Sequence, residues 1–336
     1  MLKNHVFVCP DNHGPLTLEA RIEVGHEVQE GTLKSAAGAV YQIAAGLPHL
    51  VHPLTLPDAD RASSIWYEAS CDVYDDYLPL TFRTFGLDEL EQRSQVVDLL
   101  GIEPHHKVLE TGAGTGRDSA LIAARLGAAG ELHVTDLSAP MLQRSFDKLA
   151  RVPARVVHCV ANAMHLPYPD RYFDAYFHLG GFNTFSDRKQ AFAEISRVVR
   201  PGGRVVVGDE GIAPWLRPTE FGAVLMNSNP HYAFEAPLAD LHVSARDVAV
   251  RYVMNGAFYC ISYHVGEGPP FADFDLEIPG PRGGTHRTRY YGQLEGVSNE
   301  AKALALRAQA ASGKSLHRWL DDAVRNAARE DLGDAG

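Results

Sequence analysis

From about residue 101 to residue 208 of the 336-residue chain, short apolar runs alternate with segments of helical spacing. Lys107, Val108 and Leu109 open a run with the β-branched and apolar character of a strand buried in a parallel sheet, and 119–126 (SALIAARL) follows as a helix. The order then repeats: 132–135 (LHVT) as a strand, 139–151 as a helix N-capped by Ser138, and 156–160 (VVHCV) as a buried strand with Cys159 in its core. A strand over 172–179, a helix over 188–199 and a strand over 204–208 complete the series, which predicts an α/β fold. Beyond it, 247–254 and 257–265 alternate polar and apolar positions on either side of Asn255 and Gly256, the signal of an antiparallel hairpin. The segment 87–100 has helical spacing and leads into the first strand, and 298–329 reads as two helices broken at Ser312 and Gly313.

The first strand ends in Glu110 and breaks into Gly112, Gly114 and Gly116, within VLETGAGTGRD. Glycines at every second position let the chain turn sharply and let a ligand approach the backbone amides where a strand hands over to a helix. The second strand ends at Asp136, about the separation at which such folds place an acid against ribose hydroxyls. Two further segments follow in order, ANAMHLPYPDRYFD at 161–174 and ISRVVRPGGRVVVG at 195–208.

Taken in this order, the four segments resemble the class I S-adenosylmethionine-dependent methyltransferases, most of all the branch containing the ubiquinone and menaquinone C-methyltransferases. The resemblance covers 101–208 and implies a Rossmann-like, seven-stranded, mostly parallel sheet with a closing antiparallel hairpin. It implies S-adenosyl-L-methionine as cofactor, released as S-adenosyl-L-homocysteine. Carried over residue by residue, Glu110, Gly112, Ala113, Gly114, Thr115 and Gly116 would surround the methionine end. Asp136 would bind the ribose diol, Leu137 would pack on the adenine, Asn162 and Ala163 would meet its edge, and His178 and Leu179 would pass the sulfonium. At Leu179 and Gly180 the quinone-methylating branch usually carries a small polar residue and an aromatic, so the departure concerns the substrate and not the cofactor.

The flanking regions predict appendages. Residues 1–52 resemble a small zinc-ribbon module: Cys9 and His13 stand where one ligand pair would be, but the second reads Lys34, Ser35, Ala36, Ala37, which predicts a β-rich relic without metal. Residues 53–100 read as a linker and helical lid, rich in Trp66, Tyr67, Tyr74, Tyr77, Phe82 and Phe85; Tyr74 and Asp75 fit the family's closing pair, and a helix packing its aromatic face on the core is the competing reading. The core then spans 101–266 with an inserted cap at 211–245, and 267–336 form a loop and a helical hairpin for packing or homodimerisation.

Composition narrows the function. A net charge of −11 argues against a long nucleic-acid surface, and Arg282, His286, Arg287 and Arg289 form one local basic cluster, either a solvated turn or an anion site. Four widely spaced cysteines, no signal peptide and no membrane-length apolar run predict a cytoplasmic protein. The expected activity is methyl transfer to a small molecule enclosed by the lid and the cap; an RNA-base methyltransferase and a non-methylating descendant are the alternatives. His178 and Tyr74 are the candidate catalytic residues, followed by Glu210, with Asp209 and His231 further out.

Overall fold

The computed structural model describes residues 5–279, 281, 283–291 and 297–333. They divide into two compact units, Met1–Pro270 and Phe271–Gly336.

The first unit opens with four strands, β1 (Leu16–Val24), β2 (Glu27–Ser35), β3 (Val40–Ala44) and β4 (Leu47–Leu50), and three helices, α1 (Asp58–Ser70), α2 (Tyr74–Thr84) and α3 (Glu89–Asp98). The α/β series follows as β5 (Lys107–Thr111), α4 (Arg117–Ala123), β6 (Glu131–Asp136), α5 (Ala139–Leu149), β7 (Arg155–Ala161), β8 (Phe173–Leu179), α6 (Arg188–Val198) and β9 (Val199–Glu210). Helix α7 (Glu220–Ser228) lies in the connection to the closing hairpin, β10 (Ala245–Val253) and β11 (Phe258–Val265).

The sheet has eleven strands in the order β1-β2-β3-β4-β7-β6-β5-β8-β9-β11-β10, where the family resemblance implies seven. The seven are present from β7 to β10; the first four extend the same sheet, β4 pairing in parallel with β7 through His49 opposite Val160 and Leu50 opposite Ala161. Residues 5–52 therefore share their sheet with the α/β core. Phe7, Val28, Leu33 and Ile43 share one buried cluster with Tyr176, Phe192 and Val207 of the α/β core. Cys9 is buried with its Sγ 3.6 Å from the Tyr41 hydroxyl, and His13 sits 3.8 Å from Glu194, so neither faces a common ligand site.

Local chemistry sets the element ends. Ser138, Asp88 and Asp187 accept from Met141 N, Glu91 N and Gln190 N and so cap α5, α3 and α6. Strand β9 begins at Val199, earlier than the predicted 204, because Val199 already pairs with Phe173 and the Pro-Gly-Gly stretch is taken up by a register shift before Arg204 meets Ala175. The hairpin turns through Met254, Asn255 and Gly256. Strands β6 and β7 lie on one side of β5 and β8 and β9 on the other, so the carboxyl ends of β5, β6 and β8 meet at the switch point where such sheets bind ligands.

The second unit contains α8 (His286–Tyr291), α9 (Asn299–Ser312) and α10 (Leu316–Leu332), with Gly313 closing α9 and Ser315 capping α10. It begins at Phe271, four residues after the predicted boundary at 267. Within it, Arg287 pairs with Asp275 at 3.0 Å and Arg289 donates to the Gly283 carbonyl at 2.9 Å, which uses both cations locally; Arg282 lies outside the described residues. No helix among the described residues is long and apolar enough to cross a membrane.

Candidate functional site

Strand β5 is buried from Val108 to Thr111, and the chain then enters the glycine loop at the mouth of a narrow cleft of about 80 Å³. Gly112, Gly114, Asp136, Leu137, Asn162, Ala163, His178, Leu179 and Tyr74 all line this cleft. Through Leu179, Gly180 and Gly181 it adjoins a larger chamber of about 900 Å³.

The loop glycines differ in what they do. Gly112 has φ +61°, and a Cβ on it would stand 2.7 Å from His178 Cε1; Gly114, at φ +54°, faces open space. Gly116 is closed off instead by Ser145 of α5, and Thr115 donates to Asp75 Oδ1 at 2.6 Å. Gly116, Thr115 and Ala113 are thus absent from the cleft wall. Glu110 is absent too: its carboxylate is buried and accepts from Ser119 Oγ under the start of α4, where burial pushes its pKa well up and Asp118 adds to the effect. Of the six loop residues, Gly112 and Gly114 line this cleft, whereas Thr115, Glu110 and Gly116 meet α2, α4 and α5, and Ala113 N donates to the Thr135 carbonyl of β6.

Asp136 ends β6 with one carboxylate oxygen accepting from Gly114 N and the other from Ser138 N, both at 2.8 Å. Burial raises its pKa and these backbone donors oppose the rise. Asn162 lines the cleft, but its side chain is spent on structure: Nδ2 donates to the His52 carbonyl and Oδ1 accepts from Met164 N, each at 3.0 Å. Its backbone carbonyl accepts from His165 N at 2.9 Å.

His178 forms the floor. Its Nδ1 lies 2.9 Å from Thr111 Oγ1, which in turn meets the Tyr176 hydroxyl. Burial lowers the ring to about 4, so it is neutral at pH 7, and its buried Nε2 has no hydrogen-bond partner. His178 does not border the chamber, whereas Tyr74 borders both spaces. Burial holds the Tyr74 hydroxyl well above its ordinary range. A neutral histidine of such low basicity and a tyrosine so hard to ionise are poor proton acceptors, and both are better placed to shape and orient.

The larger chamber carries its own polar groups. Glu210 ends β9 there, opposite His231 and Tyr232 from the segment after α7. Asp209, fully buried, accepts from Gly181 N, Asn183 N and Glu210 N, and does not border the chamber. Asn183, not singled out by the sequence, donates to the Glu210 carbonyl at 2.7 Å and accepts from the Tyr259 hydroxyl at 2.8 Å, fixing that strand end. Asp60 of α1 is equally illegible in sequence: it is buried and accepts from Ser186 N at 3.0 Å and Ser186 Oγ at 2.6 Å, pinning α1 beside the cleft.

On the other side, Asp75 of α2 receives Thr115, Arg117 at 3.0 Å and Lys148 at 2.8 Å. Burial pushes its carboxyl up, but those donors outweigh it and hold it at about 2. Arg117 also pairs with Glu89, which bonds Arg93, and Arg93 reaches the buried Asp118 at 2.6 Å. Signals for this network existed in the spacing of Glu89 and Arg93, and in Arg93 sharing a face with Val96 and Val97.

A family model described as methyltransferase domain matches residues 109–207, the stretch that carries the glycine loop, Asp136 and His178. Outside the domain match, similar proteins include the ubiquinone/menaquinone biosynthesis C-methyltransferase UbiE of Pasteurella multocida, 29% identical over 54% of this chain and 72% of that one. The counterpart from Cupriavidus necator is 36% identical over 44% of this chain and 60% of its own, and that from Ralstonia nicotianae is 35% identical over 32% and 44%. The chain thus spans from under half to under three quarters of these relatives. Among solved structures, phosphoethanolamine N-methyltransferase 2 of Haemonchus contortus superposes with a TM-score of 0.46 at 13% identity, over 68% of this chain and 64% of that one. Several residues that line the larger chamber, Trp66, Tyr74, Glu210, Tyr232 and Phe258 among them, fall outside 109–207.

Proposed function

We propose that this protein is an S-adenosylmethionine-dependent methyltransferase of a small molecule, with the cofactor in the narrow cleft and the acceptor in the chamber. The observation that supports it is the convergence of Gly112, Gly114, Asp136, Leu137, Ala163 and His178 on one cleft that opens past Leu179 and Gly180 into an aromatic chamber. The donor set suits a nucleoside sulfonium: open space at Gly114 admits a ligand against the loop, Asp136 offers a carboxylate to a ribose diol, and the unpartnered His178 Nε2 leaves a polar atom beside the loop. When bound, the cofactor supplies a methyl group already activated on sulfur. The protein's part is then to align a nucleophile and exclude water, which the lid helices α1 and α2 do through Asp60 and Asp75.

The cleft holds only about 80 Å³ of free space, below the roughly 300 Å³ at which ligand pockets begin. The cleft's opening into the larger chamber past Leu179, Gly180 and Gly181, with α1 and α2 latched beside it at Asp60 and Asp75, supports an entry by movement of these two helices. Calorimetric titration with S-adenosylmethionine and S-adenosylhomocysteine tests the reading. Micromolar binding by the wild type, lost in Asp136→Ala, is expected; a wild type that binds neither, with or without acceptor, overturns it. Homodimerisation through α9 and α10 is a further part of the proposal. Light scattering of the full chain against one truncated after Ser298 reads it, a dimer that persists without the helices being the contrary result.

A further inference from the structure

The acceptor chamber has a charge and a wall that point to one class of ligand. Trp66, Tyr67, Tyr74 and Tyr77 form a continuous aromatic face along α1 and α2, successive ring centroids lying 4.9, 6.1 and 5.4 Å apart in edge-to-face contacts. Tyr232 and Phe258, 6.0 Å apart, also line the chamber. The carboxylate of Glu210 lies on this chamber, and among the described residues no lysine, arginine or histidine forms an ion pair with it.

The cations that do border the space are committed or distant in role. Arg93 pairs with Asp118 at 2.6 Å and Glu89 at 2.8 Å, with its guanidinium over the Phe82 ring at 5.2 Å. His231 meets Phe234 edge-to-face, with ring centroids 6.0 Å apart. Next to Glu210, burial pushes the carboxyl of Asp209 well up, and the adjacent Glu210 charge pushes it further, while the Asn183 and Glu210 backbone donors oppose the rise.

A carboxylate without a cation, surrounded by aromatic faces, attracts a positive charge twice: directly, and through the ring quadrupoles. It repels a carboxylate or phosphate. Resting on the methyltransferase reading above, we infer that the chamber takes an aromatic or apolar amine in its ammonium form, with Glu210 as its counter-ion and the aromatic face of α1 and α2 as its wall. For methylation the ammonium first gives one proton to Glu210: an N–H bond breaks, a carboxyl O–H bond forms, and the lone pair stays on nitrogen. That lone pair forms the new C–N bond as the C–S bond of the sulfonium breaks, its electrons remaining on sulfur.

The test uses the full chain, benzyltrimethylammonium and phenylacetate, each titrated calorimetrically with and without S-adenosylhomocysteine at about 0.3 M salt, which screens the overall negative charge. The ammonium is expected to bind at least tenfold more tightly than phenylacetate. Glu210→Gln should weaken the ammonium at least tenfold, and Trp66→Leu several-fold. Phenylacetate binding as tightly as the ammonium, or Glu210→Gln leaving ammonium affinity unchanged, overturns the inference. If Glu210→Gln does not fold, the wild-type preference and Trp66→Leu still decide it. Ammonium binding by a protein that never binds S-adenosylhomocysteine would sink the methyltransferase reading and leave this one standing; the reverse pattern would sink this one alone.

Discussion

At the scale of single residues, Gly112 and Gly114 were equally legible as glycines of a ligand loop, yet the structure gives them different work. Both have left-handed φ, but only Gly112 is backed by a side chain, His178 Cε1 at 2.7 Å from where its Cβ would stand. Gly112→Ala should therefore destabilise the fold by about 1–3 kcal/mol through strain and collision. Gly114→Ala should cost roughly 1 kcal/mol and act mainly by projecting a methyl group into the cleft. Urea denaturation read beside cofactor titration separates them; equal stability losses with equal affinity would refute the distinction. His178 carries a second prediction. Its folded pKa is depressed to about 4 by burial, whereas an unfolded histidine titrates near ~6.5. Between those values the unfolded chain binds more protons, so stability falls as pH falls through this window and is flat outside it, by about 3 kcal/mol for this group. Unfolding midpoints of wild type and His178→Asn across the window should show a shallower slope in the variant. The sequence located this histidine but could not reveal its neutrality, which comes from neighbours brought by β5 and β8.

At the scale of elements, the lid is held by side chains from opposite flanks, and only part of that was visible in the chain. Tyr74 and Asp75 stood out as a closing pair; that Asp75 would meet Thr115, Arg117 and Lys148 depends on α4 and α5 arriving at one place, which no local pattern encodes. Glu110, by contrast, is expected at the cofactor from the family resemblance, and its carboxylate accepts from Ser119 at the start of α4. Asp75→Asn removes the charge that draws Lys148 and Arg117 together while keeping the side chain's shape. The pair geometry is partly solvent-exposed, so global stability should change by only ~1 kcal/mol. Hydrogen exchange across 74–84 should quicken several-fold, since the helix loses its tie to the glycine loop, while exchange in β5 and β6 stays unchanged. An unaltered rate in α2 would mean that its apolar contacts, with Phe82 buried, hold the lid without the latch.

At the scale of the whole molecule, the alternating pattern between 101 and 266 sufficed to place the core strands and the closing hairpin, because each strand there is a run of buried apolar residues flanked by its own turn chemistry. The N-terminal strands defeated that kind of reading. Their relation to the core rests on two residue pairs between β4 and β7 and on apolar side chains whose partners lie more than 100 residues away, Leu33 and Ile43 in one cluster with Tyr176 and Val207. A ribbon that had merely persisted beside a catalytic domain would have a core of its own and melt separately. Here the same buried cluster runs through both, so Leu33→Ala, at a fully buried position, should cost about 2–4 kcal/mol. It should lower a single unfolding transition for the unit 1–270 as a whole, followed by fluorescence of its tyrosines and by circular dichroism together. Two separable transitions, with only the earlier one shifted, would mean that β1 to β4 fold independently. The Asn162 side chain, which holds the His52 carbonyl from within the cleft wall, gives the same variant a second readout. If the N-terminal strands support that wall, cofactor affinity should fall along with stability.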